Sequence, residues 1–321
     1  MEGVAKFVLP FLSDARSLAT CAAVCRSMRH HVAGVVRTRR SDISQGRERV
    51  AVLCENDADA EYFPDFYYTA SSVSTDSRML AARLDGCACR RGCVSPYASG
   101  NRLRVLVQES DSAADASFFE CSSRCGCPVT CPNRVVTSGL RVPLTVFKTS
   151  DRGWALKARS ALRRGEFVCE YAGELISSAE ASSRHRLRLE DGSSNYVLSV
   201  LEHREDGAAL RTNIDPAHIG NVGRFINHSC APNLTTAVVR AESWVPRLAF
   251  FCLRDVPKEQ ELTFSYSDAG ATSHAAHIGK SSPQTAGVNA VPVASRRLCR
   301  CGESACTGFL PLELLDEEDA R

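Results

Sequence analysis

The placement of cysteine constrains this chain more than any other feature. Sixteen cysteines occur in 321 residues, and ten of them belong to a few compact patterns. Cys87, Cys89 and Cys93 form C-x-C-x3-C. Cys121, Cys125, Cys127 and Cys131 form C-x3-C-x-C-x3-C, and Cys299, Cys301 and Cys306 form C-x-C-x4-C. Cys230 stands by itself, directly after an Asn-His-Ser run. Spacings this short cannot be bridged internally by disulfides of good geometry. They suit thiolates converging on a soft metal, for which tetrahedral zinc is the usual answer. The polar loops around the first two groups then depend on the metal to fold.

Composition narrows the class. Hydrophobic residues make up 44%, enough for a sizeable core. A net charge of +2 gives no global field toward nucleic acid or a membrane. No apolar run reaches the roughly 18 residues of a transmembrane helix. The N-terminus lacks the basic and apolar regions of a secretory signal. A non-secreted chain with this many cysteines favours metal or buried thiols over disulfides. Short strands dominate the pattern, so the fold class is mainly β.

Chemistry concentrates in Gly223-Arg-Phe-Ile-Asn-His-Ser-Cys-Ala-Pro-Asn233. A short apolar start runs into a dense set of donors and acceptors and then a turn. By residue type alone, His228 is either a satisfied core histidine or a zinc ligand beside Cys230. A second stretch, Glu261-Leu-Thr-Phe-Ser-Tyr266, has the pattern of a strand.

Arg-Phe-Ile-Asn-His-Ser-Cys, then Glu-Leu-Thr-Phe-x-Tyr, then C-x-C-x4-C resemble, in that order, the signature of SET-domain protein lysine methyltransferases. Thr212-Asn-Ile-Asp-Pro216 and Gly165 to Glu174 add to the likeness, which spans residues 84–311. Residues 84–139 resemble the pre-SET module. That module has nine cysteines on three zincs; seven remain here, which implies two zincs sharing one bridging thiolate. Within this branch the likeness leans toward the form fused to a mariner transposase.

The resemblance implies a β-clip with a threaded C-terminal segment, S-adenosylmethionine as cofactor, and about three zincs. Residues 84–139 would be the pre-SET module, 140–268 the SET domain and 298–311 the post-SET loop. The cofactor would lie on Gly153, Trp154 and Ala155, with Tyr196, Arg224, Phe225, Asn227, His228, Arg300 and Phe309. Ala155 replaces a family glycine, and its methyl narrows the backbone angles open to it, which predicts a slightly weaker hold. Cys230, rather than His228, would complete a zinc site with Cys299, Cys301 and Cys306. Tyr266 and Tyr196 would orient the target amine, and Phe264 would set the number of methyls at two or three. The implied partner is the histone H3 tail on the nucleosome, its lysine nine first and thirty-six next, in the nucleus. A non-catalytic zinc-stapled binding module is the alternative. Neither a membrane nor a specific DNA sequence is expected as a partner.

Around this centre the readings are simpler. In residues 1–40, Leu18, Cys21, Ala22, Cys25 and Met28 recur at helical spacing, with Ser13 as a cap. Leu9 to Leu18, with Val24-Cys25-Arg26, resembles the later part of an F-box, which would dock on a ubiquitin-ligase adaptor. The other reading is a helix that packs on the main domain. Arg49 to Cys54 reads as a strand within the approach segment 41–83, and the aromatic run Tyr62 to Tyr68 as a packed lid. Ser177 to Asp191, with Arg184, Arg186 and Arg188, reads as a solvated helix or a nucleic-acid patch. Ser194 to Val200 reads as a strand. Residues 269–297 have linker composition, and 312–321 form an acidic tail.

Overall fold

The computed structural model describes residues 15–76, 83–89, 93, 117–203, 209–267 and 297–311. The Ser13 cap, nearly all of the 269–297 linker and the 312–321 tail lie outside these residues.

Two helices open the described chain, α1 (Ala15–Val24) and α2 (Arg26–Ser41). The apolar spacing predicts one helix running through Cys25, but the chain breaks there. Cys25 is extended at φ −160° and ψ 171°, and its Sγ accepts the Met28 N–H at 3.5 Å, so the thiol caps α2. Leu18, Ala22 and Val32 are buried in the main core, Leu18 at 0% exposure. Within the described residues 15–40 these side chains pack on the main core, as the packing reading expects, while Leu9 to Asp14 of the F-box-like run lie outside the described residues.

The rest is mainly β. The strands are β1 (Leu53–Glu55), β2 (Tyr67–Tyr68), β3 (Ser117–Phe119), β4 (Leu144–Lys148), β5 (Trp154–Ala158), β6 (Phe167–Tyr171) and β7 (Gly173–Ile176). After helix α3 (Ser178–Asp191) come β8 (Leu198–His203), β9 (Ala209–Gly220), β10 (Asn227–His228), β11 (Leu234–Arg240), β12 (Arg247–Cys252) and β13 (Thr263–Phe264). They form a β1-β4-β5 sheet, a β3-β11-β12-β6 sheet, a β2-β9-β7 sheet with β8 on β9, and a β10-β13 pair. One core cluster runs from Leu18 through Phe63, Phe66 and Tyr68 to Phe250 and Phe264, so the aromatic run 62–68 does pack as a lid.

Two expected strands are shorter than their patterns. Of Glu261 to Tyr266 only Thr263–Phe264 forms a strand, with Glu261 in a single bridge to Lys157, and β8 starts at Leu198, leaving Tyr196 in the preceding loop. Helix α3 differs in character. Arg184 Nη1 and Arg188 Nη2 each reach Asp215 Oδ2 at 2.8 Å, and Asp215 is fully buried. Arg184 also contacts Glu174 at 2.9 Å. These two arginines pin the helix to β7 and β9, so they are neither free in solvent nor available as a nucleic-acid patch.

Candidate active site

The site is built on a parallel crossing. Strand β10 pairs with β13 in the register Asn227↔Thr263 and His228↔Phe264. Parallel neighbours need a long connection; here β11 and β12 fill it. Two short polar-aromatic segments are thereby held side by side.

On one side of the crossing lies the loop that enters β5. Gly153 has φ +76°, the left-handed region that suits glycine, and no atom lies within 4 Å of where its Cβ would be. The Trp154 carbonyl accepts the Asn227 Nδ2–H at 3.4 Å. The same Nδ2 donates to Glu261 Oε1 at 3.1 Å. Glu261 is gripped by Arg152, Nη1 to Oε1 at 2.9 Å and Nη2 to Oε2 at 2.7 Å. Ala155 sits within β5 at 0% exposure and pairs with Phe147. Among the described non-glycine residues only Gln45 and Glu259 have positive φ, so the Ala155 methyl meets no backbone strain of that kind. The conformational reason for expecting a weaker cofactor hold is gone.

On the other side is a run of rings. Centroids are separated by 6.0 Å for Tyr171–Phe250, 4.9 Å for Phe250–Phe264, 4.9 Å for Phe264–Tyr266 and 5.2 Å for Tyr266–His228. Phe264 is 2% exposed, while Tyr266 is half-buried and its hydroxyl donates to the Ile226 carbonyl at 3.5 Å. His228 Nδ1 accepts the Tyr266 N–H at 3.2 Å, which leaves the proton of the neutral ring on Nε2. Burial holds its pKa below the ordinary value of 6.5. Tyr196 presents its carbonyl to the Tyr171 hydroxyl and its ring to the Arg224 guanidinium at 4.7 Å. Arg224 also lies over Phe66 at 4.7 Å and Phe225 at 4.9 Å, and donates to the Ala217 carbonyl at 3.1 Å. Arg224 and Phe225 thus brace the wall behind the crossing.

The described residues also hold two cysteine centres, one of them beside this arrangement. The sulfurs of Cys230, Cys299, Cys301 and Cys306 all lie within 4.8 Å of one another. Cys230 stands 3.9 Å from Cys299 and 4.0 Å from Cys306. A tetrahedral site with Zn–S near 2.3 Å requires S···S edges of about 3.8 Å, so the set fits zinc. Burial opposes ionisation of Cys301, but hydrogen bonds from the Cys230 and Glu303 backbone and from Cys299 and Cys306 bring it to about 6. His228 Nε2 is 3.5 Å from Cys230 Sγ, beside the group and not a member of it. Arg300 donates to the Asp151 carbonyl at 3.4 Å, and Phe309 bridges to Leu298. The C-terminal loop is thus tied to the turn that carries Gly153.

The second centre gathers Cys87, Cys93, Cys121 and Cys127 within 4.8 Å. Cys125 and Cys131 accept backbone N–H groups from Cys87 and Cys93, each at 3.3 Å, and Cys89 is exposed. N–H donation to sulfur is the surrounding that metal-bound thiolates take. The cofactor also fits what is present. The open backbone at Gly153, the Asn227 carboxamide and the Trp154 indole N–H, buried without a partner among the described residues, offer what a polar cofactor can use.

Sequence reasoning missed Arg152, Glu261, Tyr171 and Phe250 as parts of the site. Glu261 and Tyr171 stand inside quoted motifs, but only the fold shows which side chains they hold.

A β-clip with a threaded crossing and two thiolate centres defines a class, and comparison with known proteins agrees. The SET domain profile matches residues 153–267 and the Pre-SET motif profile residues 44–134. Histone-lysine N-methyltransferase SETMAR of Bos taurus is 35% identical over 309 residues, 92% of this chain and 94% of that protein. Histone-lysine N-methyltransferase SUVR3 of Arabidopsis thaliana is 33% identical over 96% of this chain and 91% of its own. The crystal structure of the methyltransferase domain of human SETMAR superposes with a TM-score of 0.65 at 31% identity, covering 85% of this chain and 98% of that one. Arabidopsis thaliana SUVH6, solved in complex with SAM, gives a TM-score of 0.61 at 28% identity, covering 85% of this chain and 56% of that one. The chain belongs to the SET-domain family of histone-lysine N-methyltransferases. S-adenosylmethionine supplies the methyl group in such a site, and its two thiolate centres suit structural zinc.

Proposed function

We propose that the chain methylates the histone H3 tail in nuclear chromatin, at lysine nine first and lysine thirty-six second, and adds two or three methyls. The β10–β13 crossing carries this reading, because it sets Asn227 and His228 beside Phe264 and Tyr266. Gly153, Trp154, Ala155, Asn227 and His228 hold the cofactor. Arg300 and Phe309 close over it, while Tyr196, Arg224 and Phe225 form the wall behind. Tyr266 and Tyr196 aim a neutral lysine amine along the methyl–sulfur axis. Catalysis then rests on alignment and exclusion of water, with no strong base required. The order of target lysines is supported by SUVH6 of Arabidopsis thaliana, whose name describes it as H3 lysine-9 specific. Three zincs staple the frame, two on Cys87 to Cys131 and one on the Cys230 group.

Methyl transfer from labelled cofactor to H3 peptides tests the reading, using the native sequence and versions with arginine at position nine or thirty-six. Label on the native peptide that disappears when position nine is changed supports it. Label that disappears only when position thirty-six is changed moves the assignment. No label on any peptide or on nucleosomes rejects the catalytic reading in favour of a binding module.

A further inference from the structure

Helix α2 carries a charge pattern that the methyl-transfer site does not use. Its sixteen residues hold Arg26, Arg29, Arg37, Arg39 and Arg40 and no acidic residue. The chain as a whole nets +2, so the remainder nets −3 and the positive excess lies in this helix. The arginines divide between two faces. Arg39 is buried, with its guanidinium 5.1 Å from the Phe63 ring centroid, on the side that Val32 packs into the core. Arg26, Arg29, His30, Ala33 and Arg37 follow a helical i, i+3, i+4, i+7, i+11 stripe, and all are exposed. From Arg26 to Arg37 the stripe runs about 16 Å at 1.5 Å per residue.

The exposed members keep their charge available. Arg29 spends only Nε, on the Ala22 carbonyl at 3.4 Å. Neither Arg26 nor Arg37 makes an ion pair among the described residues. The nearest acid in sequence, Asp42, is occupied by Ser44, Gly46 and Val52 N–H groups. Arg29, Arg37 and Arg40 also border a hollow of about 430 Å³ whose wall includes Val36 and Tyr62.

We infer that the outer face of α2 is a sequence-independent contact for the phosphodiester backbone of duplex DNA. Protein partners draw affinity mainly from buried aromatic or aliphatic anchors. Along this stripe Ala33 is the only apolar member, and Ala22, Val32, Val36 and Tyr62, which also line the hollow, are already packed in or against the main core. A DNA backbone draws affinity from charge neutralisation alone, and presents one phosphate per roughly 1.7 Å of axis. A concave rim of guanidinium groups complements such a convex, repeating anion. The contact adds an anchoring site to the proposed histone activity and does not depend on it.

The test uses the full chain and a duplex of arbitrary sequence, with binding followed by fluorescence anisotropy between about 50 and 200 mM salt. The comparison is the triple variant Arg26→Gln/Arg29→Gln/Arg37→Gln. The parent should bind unrelated duplexes equally. The variant should lose at least about tenfold in affinity, and its slope of log K against log salt should fall by about two to three, near 0.9 per lost phosphate contact. Methylation of an H3 peptide is measured on both proteins and should not differ, which shows the variant to be folded. Undiminished DNA binding by the variant overturns the inference. Displacement of the duplex by polyglutamate at equal charge overturns it in favour of an acidic protein partner. Absence of peptide methylation in both proteins would count against the proposed function alone, since the DNA measurement stands without it.

Discussion

Arg152 and Glu261 meet fork to fork, with both nitrogens on both oxygens at 2.9 and 2.7 Å. The same Glu261 Oε1 accepts Asn227 Nδ2 at 3.1 Å. A planar guanidinium fixes the carboxylate plane, and the carboxylate in turn fixes the carboxamide. The pair therefore serves as the brace that fixes Asn227 against the Trp154 carbonyl.

Glu261→Gln keeps the shape but loses the charge, so Asn227 should be held less firmly. We expect cofactor affinity to fall about tenfold, the value of roughly one charge-assisted hydrogen bond, with a smaller change in turnover at saturating cofactor. Calorimetric titration of S-adenosylmethionine beside steady-state rates separates the two. An equal fall in turnover with unchanged affinity would place Glu261 elsewhere in the mechanism.

Asp215 provides the acid-sensitive element. Burial alone would raise its pKa, but hydrogen bonds from Arg188 and Arg184 win and hold it below the ordinary 3.8. The unfolded chain therefore takes up this proton at higher pH than the folded one. The stability that Asp215 contributes is complete above about pH 5 and is lost as pH falls through 3.8 toward the folded value. Asp215→Asn should cost about 3–5 kcal/mol at neutral pH, because two arginines lose a buried partner. It should also flatten the acid limb of stability against pH. Urea unfolding at several pH values checks both effects.

Metal content separates the two thiolate centres. Elemental analysis should give three zincs per chain. Cys306→Ser should remove one zinc and weaken the cofactor hold while the core stays folded, because the C-terminal loop is tied to the rest by Cys230, by Arg300 on Asp151 and by Arg297 on the Gly192 and Ser193 carbonyls. Cys121→Ser should remove metal from the other centre and lower the melting temperature, since Cys121 is buried among the sulfurs there. A chain with one zinc or none overturns the structural-cluster reading.

The legible parts of this sequence were those whose chemistry is local. Cysteine spacing announced two thiolate centres, and the Asn-His and Phe-Ser-Tyr stretches announced their own neighbourhood. What was not legible depended on distant partners. The helical period of residues 18–28 ignores the break at Cys25, which exists because a thiol can cap a helix. Arg184 and Arg188 look solvated by composition, yet a carboxylate on a strand 27 residues beyond Arg188 buries itself against them. The short length of β13 likewise follows from the crossing, which no alternation pattern encodes.

Phe264 and Tyr266 carry the sharpest prediction. Their rings lie 4.9 Å apart, and Phe264 is clasped between Tyr266 and Phe250 at 2% exposure. The Tyr266 hydroxyl reaches the Ile226 carbonyl only at 3.5 Å, a weak bond for which an arriving amine can compete. Tyr266→Phe should lower the rate about ten- to a hundredfold, as expected for a positioned hydrogen bond of roughly 1–3 kcal/mol. Phenylalanine at 264 offers no hydroxyl to hold a water beside the amine, which leaves room for a methylated one. Wild-type product should therefore be di- or trimethyl-lysine. Phe264→Tyr should shift it toward monomethyl while the first transfer proceeds at a similar rate. Ser265, between the two, replaces the aspartate usual in the family, and Ser265→Asp should alter peptide preference more than methyl number. Mass spectrometry of a reacted H3 peptide reads the product distribution directly. A wild-type protein that stops at one methyl, or a Tyr266→Phe variant with undiminished rate, would remove these two rings from the amine channel.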